Sequence, residues 1–158
     1  MNRSLAWGNL GLCYFETEQY PAAIRAYSKV LALGGADATT YGLMGVCANN
    51  VNDPIAAESA FRMAALLDPD NKDWKVGIAE SFFKQRRYTD AVALFDLLLA
   101  QDPNNLDFWM AQGKALAQTG EVMRAAENFE LVDRLGGSTA ESLYALGDIY
   151  SKEGLYGP

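Results

Sequence analysis

The chain has 158 residues, half of them hydrophobic, and 20 acidic against 13 basic side chains leave a formal net charge of -7. That balance is a poor footprint for a phosphate backbone and argues against nucleic acid as a partner, and the lack of any histidine removes the commonest general base and metal ligand. The longest apolar runs, 91–95 and 97–100, are divided by Asp96 and fall far below the roughly 18 residues of a membrane span, while the opening MNRSLAWG holds no apolar core of a secretory signal.

In chain order, Leu5, Trp7, Leu10, Leu12, Tyr14 and Phe15 recur largely at steps of three and four, which predicts an amphipathic helix from Leu5 to Glu16. Glu18-Gln19-Tyr20-Pro21 breaks it. Pro21, with its fixed φ and missing N–H, suits the first turn of a second helix that runs to about Leu33. Ala23, Ile24, Tyr27, Val30 and Leu31 are its predicted buried face, and Gly34-Gly35 offers the positive φ that ends it.

Thr39 or Thr40 is the expected cap of a third helix, Asn52-Asp53-Pro54 the turn into a fourth, and Asp68-Pro69 its stop. A fifth helix is predicted over Trp74 to Lys84, followed by a turn at Gln85 to Tyr88 and a sixth helix capped by Thr89 and closed by Asp102-Pro103. Asn105 precedes the seventh, Gly120 supplies the next turn, and the eighth ends at Gly136-Gly137. Ser138 or Thr139 caps a ninth, with Glu141 in its first turn where the helix dipole favours a negative charge. The remainder, Gly154 to Pro158, reads as the turn that follows it.

These elements repeat. Tyr88, Ala91, Phe95 and Pro103 become Pro54, Ala57, Phe61 and Pro69 at 34 residues earlier, then Tyr20, Ala23, Tyr27 and Gly35; 34 residues later they become Val122, Ala125, Phe129 and Gly137. A fixed interval of this size marks a stacked repeat. Gly11, Gly45, Ala79, Gly113 and Gly147 fall where the first helix of each pair should meet the second, with Ala23, Ala57, Ala91 and Ala125 in the reciprocal place. Tyr27, Phe61, Phe95 and Phe129 are expected to fill the gap before the next pair. Cys13 and Cys47 share one column and are read as small buried residues, since equivalent positions in stacked repeats usually lie about a helix diameter apart; a disulfide or reactive pair is the alternative.

The columns resemble the tetratricopeptide repeat family. Its first-helix pattern appears as Trp7, Leu10, Gly11, Tyr14; Tyr41, Met44, Gly45, Ala48; Lys75, Ile78, Ala79, Phe82; and Trp109, Gln112, Gly113, Leu116. Its second-helix pattern appears as Ala57, Phe61, Ala64 and Pro69. Departures are local: Lys75 replaces a bulky residue beside Trp74, and Leu98, Val30 and Val132 occupy the small column. The resemblance implies an all-α, right-handed superhelical solenoid of antiparallel helix pairs, with repeats at about 4–37, 38–71, 72–105 and 106–139 and part of a fifth over 140–158. Terminal repeats normally carry a polar outer face. The chain is therefore expected to be a segment of a longer protein, or to have its open end covered by a partner.

The resemblance also implies a concave side lined by the first helices of the pairs. After the core columns are assigned, Leu5, Gly8, Asn9, Leu12 and Phe15 remain for it, then Thr39, Gly42, Leu43, Val46 and Asn49, then Val76, Gly77, Glu80 and Phe83, and finally Met110, Lys114 and Tyr144. Gly8, Gly42 and Gly77 should leave shallow pockets in an apolar strip, and a strip of that kind suits a helical or extended peptide from a protein partner. The alternative is that these residues meet the second helices or curl in on one another. The places of the family's carboxylate clamp hold Gly8, Leu12, Leu43, Asp73 and Val76, so that clamp is missing. No catalytic, cofactor or metal site is expected: two cysteines make no zinc set, and the Gly pairs lack the Lys and hydroxyl residue of a phosphate loop. The expectation is a soluble, non-enzymatic interaction module, the cytoplasm favoured. A scaffold that self-associates through its open C-terminal end, or an accessory region of a larger secretion or assembly protein, is the competing reading.

Overall fold

A computed structural model describes residues 2–154. Among these it contains no strand and nine helices: α1 (Arg3–Glu16), α2 (Tyr20–Ala32), α3 (Ala38–Asn50), α4 (Pro54–Leu67), α5 (Lys72–Lys84), α6 (Tyr88–Gln101), α7 (Leu106–Thr119), α8 (Val122–Arg134) and α9 (Ala140–Glu153). They divide into two compact units, Met1–Arg86 and Arg87–Pro158. The first holds α1 to α5, the second α6 to α9. Within each unit every helix packs on the next in sequence.

Most helix starts follow from short polar side chains that accept orphan backbone N–H groups. Asn2, Asp53, Asn71, Asn105 and Thr139 do this, and Thr139 forms a capping box with Ser142. Two expected caps are corrected. Asp37, not Thr39 or Thr40, caps α3, its Oδ1 accepting from the Thr40 N–H at 2.7 Å and the Thr40 hydroxyl at 2.8 Å. Thr89 lies inside the first turn of α6, whose N-cap Arg87 makes no side-chain capping bond. Gly154 ends α9 in the left-handed conformation; residues 155–158 of the expected final turn lie outside the described part.

Bonds from Thr40 hold the Asp37 carboxyl below its usual pKa of 3.8. A carboxylate depressed in the folded state contributes stability that is complete above its unfolded pKa and is lost as pH falls through the folded one. Asp37→Ala is expected to cost about 1 kcal/mol at neutral pH, and Asp37→Asn only a few tenths because Asn also caps. Urea denaturation should show the gap between wild type and Asp37→Ala shrinking as pH drops from about 6 to about 3.

The repeated columns explain the interior. Ala23, Ala57, Ala91 and Ala125 are fully buried, as are nearly all of Tyr27, Phe61, Phe95 and Phe129. Three of these rings lie where glycine side chains would be: a Cβ on Gly11 would meet Tyr27 at 2.6 Å, one on Gly45 Phe61 at 2.9 Å, and one on Gly113 Phe129 at 2.7 Å. Both cysteines are free, as expected, but only Cys47 is buried; Cys13 is exposed, a correction, because α1 packs against α2 and lightly against α3 and neither helix covers it.

Gln112 occupies a column that elsewhere holds Leu10, Met44 and Ile78. It is buried in the second unit, donating from Nε2 to Asp96 Oδ1 at 2.6 Å and accepting at Oε1 from Asn128 Nδ2 at 2.9 Å. A buried amide held at both ends is stable; half of such a network is not. Gln112→Leu leaves the buried Asn128 without that acceptor and is expected to cost about 1 to 3 kcal/mol. Asn128 Nδ2 keeps its bond to the Trp109 carbonyl at 3.3 Å, so one of its two N–H groups is left unpaired, and restoring most of the loss with Gln112→Leu/Asn128→Leu, by the same denaturation measurement, checks that cause.

Candidate functional site

In the first unit a cavity of about 630 Å3 opens between α1 and α3. α1 contributes Leu5, Gly8, Asn9 and Leu12, α3 contributes Thr39, Thr40 and Leu43, and Tyr27 and Val30 come from α2. Asn2, Ser4, Leu33, Gly35 and Asp37 complete the wall. The α2–α3 loop reaches α1 because Gly35 has no side chain; a Cβ there would stand 1.8 Å from Ser4 Oγ. Gly8 is open as expected, with only Val30 Cγ2 at 4.0 Å from where its Cβ would be.

Six residues expected in the groove thus meet in one cavity: Leu5, Gly8, Asn9, Leu12, Thr39 and Leu43. Leu5 is 61% and Leu12 42% exposed, large values for side chains of this type. Leu43 is half-buried, packed on the cluster of Ala23, Tyr27 and Cys47. Phe15 turns to the same cluster, edge-on to Tyr20 with ring centroids 6.2 Å apart. Val46, Val76 and Phe83 are half-buried, and Glu80 is exposed.

Three expected groove positions are corrected. Gly42 is buried, its missing Cβ displaced by the Trp74 ring at 2.1 Å. Gly77 is buried under Phe61, whose ring would lie 2.5 Å from a Cβ. These glycines receive rings from the protein itself and leave no pocket. Asn49, 6% exposed, donates from Nδ2 to Ser81 Oγ at 3.4 Å while its main-chain carbonyl accepts from Lys84 Nζ at 2.6 Å. In the second unit Met110 and Lys114 are half-buried, with Lys114 Nζ 2.9 Å from Glu141 Oε2, and Tyr144 is exposed.

Asp37, Tyr27 and Val30 were not anticipated at the cavity. Asp37 stands three residues before Thr40, a capping spacing that sequence alone could have shown. Tyr27 and Val30 belong to the core columns, and their inner edges double as the cavity wall. Burial raises the Tyr27 phenol to about 12, with Cys47, Glu16 and Cys13 adding smaller effects. Its hydroxyl has no hydrogen-bond partner. Among the described residues no cluster of His, Cys, Asp and Glu is arranged to hold a metal ion, and no helix is long and apolar enough to cross a membrane.

Alternating helices at a fixed interval, each pair joined by a small-residue contact and an aromatic ring, define a helical repeat protein. The chain belongs to the tetratricopeptide repeat family: family models described as Tetratricopeptide repeat match residues 4–34 and 51–115. It is 26% identical over 118 residues to Protein FlbA of Caulobacter vibrioides, covering 75% of this chain and 20% of that protein. The chain therefore spans about a fifth of the length of this curated relative. Among solved structures it resembles residues 41 to the end of MamA from Desulfovibrio magneticus RS-1, with a TM-score of 0.87 at 15% identity over 97% of this chain and 86% of that one. It also resembles the TPR domain of Arabidopsis OM64, with a TM-score of 0.65 at 23% identity over 73% of this chain and 95% of the other. At these identities the likeness concerns the fold, an all-α solenoid of tetratricopeptide type.

Proposed function

We propose that this chain is a protein-interaction module that takes a short segment of a partner polypeptide in the cavity between α1 and α3. The observation that carries this reading is the cavity itself, where Leu5 and Leu12 stay exposed beside the unfilled space over Gly8. Exposed apolar area rimmed by polar groups is the usual character of a contact surface. Membership of a family of protein–protein interaction repeats supports the coarser statement.

Leu5→Asp and Leu12→Asp are the variants of choice, because both side chains are exposed, whereas Leu43 also holds the core together. A random 12-residue peptide display library is panned on the protein, and the enriched peptides are measured on both variants. Losses of about tenfold or more are expected, the scale of one apolar anchor removed from a contact. Enriched peptides that bind Leu5→Asp/Leu12→Asp as well as wild type would place the contact elsewhere and overturn the reading.

A second reading, self-association through α9, is favoured by the exposure of Tyr144 (80%) and Leu143 (49%). Light scattering over a concentration series tests it: growth in mass that Tyr144→Ser abolishes supports it, and constant monomer mass rejects it. The accessory-region reading is supported by the fraction of FlbA that the chain spans.

A further inference from the structure

We infer that the segment taken by the α1–α3 cavity is basic: an apolar side chain seats against Leu12, Val30 and Leu43, and a lysine or arginine beside it faces Asp37. This deepens the reading above and rests on it. Among the described residues Asp37 is the one charged side chain in the cavity wall, and no lysine or arginine lines it. Oδ1 of Asp37 takes both bonds from Thr40, and the backbone N–H of Asp37 itself also favours the charged carboxyl. The residue is exposed and no lysine or arginine among the described residues pairs with it, so its charge is open to an incoming cation.

The Asn9 side chain is exposed in the wall and makes no hydrogen bond among the described residues, so its amide can pair with one peptide group of the guest. A carboxylate, whether a C-terminus or an acidic side chain, would lose hydration there and gain no counter-charge. The overall charge of -7 acts in the same direction, drawing cationic segments at a distance. The size of the cavity, about 630 Å3, lies within the range of roughly 300 to 1,000 Å3 typical of ligand sites.

The test uses two fluorescein-labelled synthetic peptides of one leucine pattern, all other positions lysine in the first and glutamate in the second. Binding is followed by fluorescence anisotropy at about 50 mM salt, where screening is modest. Wild type is expected to prefer the lysine peptide by about tenfold. Asp37→Asn keeps the helix cap and removes the charge, and should cut the preference to about threefold, on the scale of one exposed ion pair. Asp133→Asn, an equally neutralising change at an exposed position of α8, should leave it unaltered.

Equal binding of the two peptides, both weakened by Leu5→Asp, would overturn the basic preference and leave the peptide site standing. A lysine preference reduced alike by Asp37→Asn and Asp133→Asn would show attraction by net charge alone and overturn the role of Asp37. Binding of neither peptide, together with a failed library selection, would remove the site itself.

Discussion

Phe61→Ala is expected to destabilise the protein by about 3 to 5 kcal/mol, the range for deleting a buried phenylalanine. Phe61 is 3% exposed and belongs to α4. Its ring reaches the place where Gly45 of α3 and Gly77 of α5 would each carry a side chain. One ring therefore joins three consecutive helices, and its loss opens a void bordered by two residues with nothing to fill it. Urea denaturation with the transition followed by far-UV circular dichroism measures the change. A loss below about 1 kcal/mol would mean that the helices close over the gap, and the ring would not be the joint between pairs.

Gly77→Ala is expected to lower stability, by up to about 2 kcal/mol, although alanine is the better helix former by about 1 kcal/mol. Two effects oppose each other. The new Cβ would stand 2.5 to 2.6 Å from three atoms of the Phe61 ring, so the ring has to move. Its room to move is small, because it also fills the place of a Cβ on Gly45, which would stand 2.9 Å from it. Overpacking of that kind costs roughly 1 to 3 kcal/mol and outweighs the propensity gain. Gly8→Ala is the control: its Cβ meets only Val30 at 4.0 Å, and stabilisation by about 0.5 to 1 kcal/mol is expected. A Gly77→Ala protein as stable as Gly8→Ala would restore Gly77 to the open surface that sequence reading assigned it.

The contrast between those two glycines shows where sequence reading ran out. Gly8, Gly42 and Gly77 all lie on first helices, away from the column of Gly11, Gly45 and Gly113. Spacing alone cannot distinguish a glycine that leaves a hollow from one that receives a ring. Trp74 reaches Gly42 from α5 and Phe61 reaches Gly77 from α4, and neither approach is encoded by helix periodicity. The turns within pairs carry a similar lesson: Glu18, Asn52, Arg86 and Gly120 all take a positive φ at the same repeat position, yet only the glycine advertised it.

Much of the fold was legible because it depends on local, periodic properties. Apolar residues at helical spacing, short polar caps, and alanine and aromatic columns returning after 34 residues dictate helix pairs whatever surrounds them. Tertiary structure alone decided which first-helix residues remain free. Whether a side chain meets solvent depends on rings and loops that arrive from elsewhere in the chain, as at Gly35 beside Ser4, and on the charge they bring, as Asp37 does. The hollow by α1 survives because no aromatic ring reaches Gly8, while the equivalent space over Gly42, one period later, is taken by Trp74 and that over Gly77 by Phe61.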